Sequence, residues 1–351
     1  MFQFGTNGRT AILAVAHACV DGVCAAAMYG IVKPATAAGG VTFFALVAIY
    51  NLLAFPLQAL VGLTADHIPA RRTWLVAVLL AFPLLWLTPL PPVALAVLLG
   101  VCNSMFHVLG GIDTLETSRG KMTKLGIFVA PGAVGLAVGL MFPPSGAMMG
   151  AMLALLALGY RLTKSPSQEE KAPPPALPLY GGMKVLLPAM VLLSVACRGM
   201  GGSVIAYGWK TGFVLPVVFA VIVAGGKAAG GLLSDRLGER GVAIAAAVAA
   251  TLILPLSADI PPLALFGQLC INITMPVTLM LLYRAMPRNP GFSFGMAAGV
   301  LYPGTLTGKL LNGALPEYAM IPVLLLIFGV NAAILAFALE MGNKKRKGEP
   351  I

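Results

Sequence analysis

Charge is what this sequence has least of. Only 10% of its 351 residues are charged, where a soluble domain of this length carries about a quarter. Acids are scarcer than bases, 12 against 23, and there are three histidines. In place of charge stand 59% hydrophobic residues and a mean hydropathy of +0.92. These shortages exclude an ordinary soluble domain. Cysteine is also sparse: Cys19, Cys24, Cys102, Cys197 and Cys270 all fall in apolar stretches, without CxxC spacing. They read as free, buried, small apolar side chains rather than a disulfide framework. No nucleophile–base arrangement, phosphate loop or large catalytic loop is present. The chain is therefore expected not to be an enzyme and to need no cofactor and no metal. A short apolar core with a small-residue cleavage pattern is missing too, so no cleavable signal peptide is expected at the start.

What is present is a series of long apolar runs, the pattern of helices that cross a bilayer. Twelve spans are predicted, at 11–33, 41–64, 73–89, 92–113, 122–143, 145–163, 184–207, 213–233, 241–258, 261–283, 293–313 and 319–341. With the N-terminus inside, eighteen of the 23 Lys and Arg fall in inner loops, at the inner ends of spans or in the basic tail Lys344–Lys347, and two, Lys33 and Lys210, fall at the outer side. That bias places both termini in the cytoplasm of a multi-pass cell-membrane protein. The net charge of +11 is thereby explained by orientation and anionic lipid heads, with no nucleic acid partner required.

The longest polar stretch, "TKSPSQEEKAPPPALPLYGG" from Thr163, is too rich in Pro, Glu and Lys to bury a core. It is expected to be a flexible linker, 164–183, between a bundle at 1–163 and a bundle at 184–341, followed by a basic tail at 342–351. A duplication supports the division. "GLTADHIPARR" (62–72) and "GGLLSDRLGERG" (230–241) superpose with Asp66 and Asp235 169 positions apart. The same offset carries Asn103 onto Asn272 and Gly126 onto Gly295, while the Pro-Gly pairs of "APGAVG" and "YPGTLTG" are displaced by three residues. Parallel six-helix halves around a central cavity are a transporter architecture.

Both charged stretches lie in inner loops, 2–3 and 8–9. Gly62 and Gly231 at the helix ends allow close helix approach, and Asp66 and Asp235 suit neighbouring helix N-termini. With Arg71, Arg72 and Arg240 they form a candidate latch that holds one conformation. The Gly-Leu-x-x-Asp-x-x-x-x-Arg pattern resembles the signature loop of the major facilitator superfamily, and the resemblance extends over the whole chain. It implies an all-α membrane protein with twelve transmembrane helices in two pseudo-symmetric bundles. The sequence departs from the pattern at His67, where an arginine is common, and near Pro69, where a glycine is usual. Span 5 resembles the glycine- and proline-rich antiporter motif only weakly. "FHVLGG" in span 4 is similar to the fosmidomycin-resistance-like branch, except that Val108 follows the histidine where that branch has proline.

Ionisable groups at membrane depth cost about 2.5–3.5 kcal/mol at a helix centre, so they mark function. At about 1.5 Å per residue, Asp21 lies roughly 15 Å into span 1, His107 and Lys227 each about 12 Å into spans 4 and 8, and Arg198 roughly 21 Å into span 7. All four therefore fall near the midplane. Lys309 lies near the outer end of span 11, where it can snorkel. His17, Asp21, Cys24 and Met28 share one face of span 1. Asp21 and His17 are proton-coupling candidates. Arg198, Lys227, His107, Asn103 and Asn272 are substrate-binding candidates, the two cations favouring an anionic group. Structural alternatives are a salt bridge from Asp21 to Arg198 or Lys227 and an interhelical hydrogen bond for His107. The glycines of "RGMGGS" either kink span 7 or pack it closely.

The expected function is that of a monomeric secondary transporter, working by alternating access on a small organic, anionic solute and protons. A soft-metal carrier is the second reading, built on Met148, Met149, Met152, Met105, Met28 and Cys24 with the histidines. A non-transporting scaffold or receptor is the third, and it leaves the midplane charges without a purpose.

Overall fold

The computed structural model describes residues 6–36, 42–167, 171 and 173–347. The side chains of Lys344, Lys345, Arg346 and Lys347, and the linker residues 168–170 and 172, lie outside that description. Among the described residues there are helices and no strand. Helix α1 (Thr6–Ala27) continues through a π turn (Met28–Val32) into α2 (Lys33–Thr36). Next come α3 (Phe43–Ala54), α4 (Leu57–Ala65), α5 (Arg71–Leu87), α6 (Pro92–Thr117), α7 (Thr123–Val129), α8 (Gly132–Met141) and α9 (Ser145–Leu162). The second half has α10 (Met183–Val204), α11 (Val214–Leu237), α12 (Glu239–Ile253, ending in a 3-10 turn), α13 (Pro261–Ala285), α14 (Pro290–Ala314) and α15 (Glu317–Lys347).

Proline explains most of the boundaries. Pro92, Pro261 and Pro290 open their helices in the first turn, where the absent N–H costs nothing. Pro56 and Pro131 stand at the breaks between α3 and α4 and between α7 and α8, where a missing donor and the ring interrupt the ladder. Joined across those breaks and the π turn, the segments give twelve crossings, as expected. Ten are long and apolar enough to span a membrane. The exceptions are α5, with 17 residues beginning at two arginines, and α14, whose apolar residues are diluted by Gly, Thr and Ser. The chain is a multi-pass membrane protein. At the α11–α12 corner Gly238 has φ +93°, a conformation costly for any residue with a Cβ.

Two structural halves repeat. In the first, α1 packs on α8 and α9; in the second, α10 packs on α14 and α15. Cβ atoms at Gly135 and Gly139 of α8 would meet the carbonyls of Ala18 and Gly22, and those at Gly304 and Gly308 of α14 would meet Ala196 and Met200. Both glycine pairs are again 169 positions apart, so the small residues that bring backbones together recur where the Pro-Gly pairs did not. The halves meet through α4 on α14 and α7 on α11. Helices α1 and α13 are mostly enclosed, whereas α3–α4, α11 and α15 show most of their apolar surface to the exterior, the lipid side of a membrane bundle.

Two expectations are modified. The linker is not wholly free: Leu177 and Leu179 are buried, and Leu177 N–H donates to the Arg284 carbonyl at 3.0 Å. Its two leucines supply the apolar anchor that the Pro, Glu and Lys count obscured. The "RGMGGS" glycines do not break the helix, because α10 runs through to Val204. A Cβ at Gly199 would meet the Leu301 carbonyl, and one at Gly201 would meet the Phe328 ring, so close packing explains these two, while Gly202 has no neighbour within 4 Å.

Candidate functional site

The charged loops of the two halves do the same thing. Asp66, just past the end of α4, accepts hydrogen bonds from Gly291 N–H (2.7 Å) and Phe292 N–H (3.0 Å) at the start of α14. Asp235, in the last turn of α11, accepts from Met122 N–H (2.8 Å), Thr123 N–H (2.9 Å) and the Thr123 hydroxyl (2.6 Å) at the start of α7. Each carboxylate thus caps a helix of the opposite half, where orphan N–H donors and the helix dipole favour negative charge. The partners also match: Met122 and Thr123 are 169 positions before Gly291 and Phe292. Gly62 and Gly231 make this contact possible. A Cβ at Gly62 would lie 2.2 Å from the Gly291 carbonyl oxygen, and one at Gly231 would lie 2.4 Å from that of Met122. Gly295 and Gly126 bring the same helix pairs together one turn further in, against Gln58 and Lys227 carbonyls. Partial burial pushes the Asp66 carboxyl above its ordinary value, while the Phe292 and Gly291 N–H groups and Arg71 pull it back.

The arginines bind within their own halves. Arg71 pairs with Glu116 at 2.9 Å and Arg240 with Glu340 at 2.5 Å. Arg72 donates to the carbonyls of Tyr160, Arg161 and Thr163 at the end of α9. Burial lowers the Arg72 guanidinium from its usual value. Two features at this face were not picked out in the sequence. Arg9 is buried and bonded to Asp113, Tyr160 and Thr163, while Arg284 reaches across the halves to the Gly120 carbonyl at 3.2 Å. Arg9 and Asp113 are 104 positions apart, and neither belongs to a motif.

Deeper in, a cavity of about 220 Å³ lies between the halves, lined by His17, Asp21, His107, Arg198 and Lys227 among apolar neighbours. The four midplane charges do converge. Asp21 lies 3.4 Å from His17 Nε2 and 3.5 Å from His107 Nε2. The two Nε2 atoms are themselves 2.9 Å apart. His17 Nδ1 meets the Phe128 carbonyl at 2.9 Å, near the α7–α8 break, and His107 Nδ1 meets the Asn103 carbonyl at 2.9 Å. Asn103 stands behind the carboxylate, donating to Asp21 Oδ1 at 3.3 Å. Arg198 is held by the hydroxyls of Thr274 (3.4 Å) and Thr278 (3.3 Å), and Lys227 by the Val129 carbonyl at 3.3 Å. Among the described residues no carboxylate lies within 4.0 Å of either cation, so the expected alternative of an Asp21 salt bridge is not formed.

Other candidates fall elsewhere. Asn272 donates to the Gln268 carbonyl of its own helix at 2.8 Å and backs onto Gly226 rather than lining the cavity. Met148 and Met152 face outward. Met149 packs against Gly22. His17, Asp21 and His107 are the one group of three or more potential metal-ligating side chains among the described residues. Leu136 lines this cavity and also a second one of about 200 Å³, bordered by Tyr50, Asn51 and Lys309. The second cavity lies toward the face opposite the capped carboxylates. Lys309, read as near the outer end, does border water-accessible space.

This architecture has solved counterparts. A variant of the E. coli fucose:proton symporter FucP superposes with a TM-score of 0.65 at 11% identity, over 94% of this chain and 98% of that one. The fold is that of the major facilitator superfamily. FucP in an outward conformation matches at 0.62 and 13% identity, over 93% and 98% of the two chains. The human organic anion transporter MFSD10 (TETRAN) matches at 0.60 and 14% identity, over 95% and 100%. No protein-family model and no curated protein matches by sequence. In this fold the charged cavity lies at the junction of the two bundles.

Proposed function

We propose that this protein is a secondary transporter that moves a small organic anion by alternating access, coupled to protons, across the cell membrane. The reading rests chiefly on one observation: an acid with two imidazoles and two cations without carboxylate partners share a cavity between the halves. Ionised groups at that depth are costly, and their retention points to function. Arg198 and Lys227 are the substrate's counter-charges, and Asp21 with His17 is the proton group. The cavity's size favours a small cargo, since drug-sized pockets run to roughly 300–1,000 Å³. The structural neighbours' names agree: one is a proton symporter, another carries organic anions. Asp66 and Asp235 act as latches that hold the basic, cytoplasmic face closed, which leaves access from the outer face past Leu136.

Coupling follows from competition. A bound anion and the Asp21 carboxylate both seek the same two cations, so protonation at the Asp21 cluster and substrate binding favour one another. The test is uptake into proteoliposomes. Asp21→Asn should lose accumulation driven by a pH gradient yet still exchange substrate across the bilayer. Accumulation that survives the substitution would overturn the proton role of Asp21. The soft-metal alternative receives little support, because most of the thioethers it needs lie away from the cavity.

A further inference from the structure

The hydrogen bonds around His17 and His107 count protons. A backbone carbonyl only accepts, so His17 Nδ1, facing Phe128 O at 2.9 Å, and His107 Nδ1, facing Asn103 O at 2.9 Å, must both carry hydrogen. If both rings were neutral, that would use their two protons. The two Nε2 atoms would then be two bare acceptors 2.9 Å apart, a gap with no room for water. Moving a proton to either Nε2 only transfers the conflict to a carbonyl. One more proton removes it. We infer that His17 and His107 hold three protons between them, the third shared between the two Nε2 atoms as the transporter's coupling proton, with Asp21 as its counter-ion rather than its carrier.

The surroundings supply one carboxylate as counter-ion to a single added positive charge. Asp21 flanks both nitrogens from α1, and Asn103 of α6 steadies its carboxylate. From the second half, Lys227 of α11 and Arg198 of α10 line the same cavity. Cys24 of α1 and Tyr50 of α3, hydrogen-bonded together, lie behind Asp21. A metal ion would need a different geometry. Two imidazoles on one tetrahedral zinc, at 2.0–2.1 Å each, have nitrogens about 3.4 Å apart, and two nearby cations oppose a divalent charge. In the binding step one Nε2 lone pair takes the proton and shares it with the other; release returns it to cavity water. No other bond changes. Release also leaves two bare acceptors side by side, so deprotonation drives α1 and α6 apart at this point. His107, read from sequence as a substrate ligand, becomes half of the proton site.

The proton count needs no transport assay, so it fails or stands apart from the transporter reading on which its coupling role rests. The full chain, labelled with 15N histidine and purified at pH 7 with chelator present, is measured by NMR in nanodiscs. The chain has three histidines, and His67→Asn removes the one outside the cluster. Three protonated ring nitrogens of four, with one proton coupled to both Nε2 atoms, are expected. Asp21→Asn should reduce the count to two, and His107→Gln should leave His17 with one. Two protonated nitrogens in the unsubstituted cluster would overturn the proposal, as would a metal that survives the chelator.

Discussion

Gly62→Ala tests the latch with the least change in chemistry. The new Cβ would lie 2.2 Å from the Gly291 carbonyl oxygen, where ordinary contact begins at 3.4 Å. The obstacle is backbone, so α4 and α14 must separate by about 1 Å. That separation carries the Asp66 bonds, now 2.7 and 3.0 Å, past hydrogen-bonding reach. Unpairing a half-buried carboxylate from two helix-terminal donors costs about 1–3 kcal/mol. Such an energy shifts the balance between closed and open basic faces by about 5–150-fold. Spin labels at Thr64→Cys and Arg288→Cys, on the two helix ends, report the ratio as a distance distribution. Gly202→Ala, with nothing within 4 Å of its added Cβ, is the control. A folded Gly62→Ala protein with the parent's distribution would refute the latch reasoning, because the steric conflict would have been absorbed without opening the face.

Asp66→Asn offers one acceptor to two backbone donors and should slow transport while expression holds; wild-type rates in liposomes would count against a latch. Arg198→Ala or Lys227→Ala removes a charge-assisted contact worth about 1.5–3 kcal/mol, so affinity for anionic solutes should fall about tenfold to a hundredfold, more than for neutral ones, in a binding titration. Asp113→Ala leaves the buried Arg9 without its carboxylate, which typically costs about 3–5 kcal/mol. The yield of monodisperse protein and its apparent melting temperature should drop sharply, whatever the solute.

Much of this was legible because membranes simplify the code. Apolar length gave the twelve spans, and the repeated Gly-Leu-x-x-Asp gave Asp66 and Asp235 together with their place at helix termini. Depth counting brought Asp21, His107, Arg198 and Lys227 to one level. Level is not direction, however. Asn103 and Asn272 share the repeat offset, yet one turns to Asp21 and the other to its own helix, since rotation about the helix axis depends on packing. The pairing of His17 with His107 was hidden for the same reason: they lie 90 positions apart, on helices whose facing surfaces depend on the glycines of α8 and on Phe106 and Phe128 around the rings. Arg71, Arg72 and Arg240 were expected to join the latch. Their partners, Glu116, Glu340 and the end of α9, come from their own halves, because α5 packs on α6 and α9, and α12 packs on α15.

The duplicated latch has a consequence for how the two sides of the membrane are served. Among the described residues, the carboxylate-to-backbone bonds that join the halves all lie at the basic face. On the transporter reading proposed above, an empty carrier so fastened waits with its cavity turned to the opposite compartment. A ligand arriving from the basic side meets a competent carrier only in the fraction f that has come undone, and its apparent dissociation constant is the intrinsic one divided by f. The same cavity, with the same contacts, therefore half-saturates at a low concentration on one side and a high one on the other. At equal concentrations it loads mainly from the side its latches leave open.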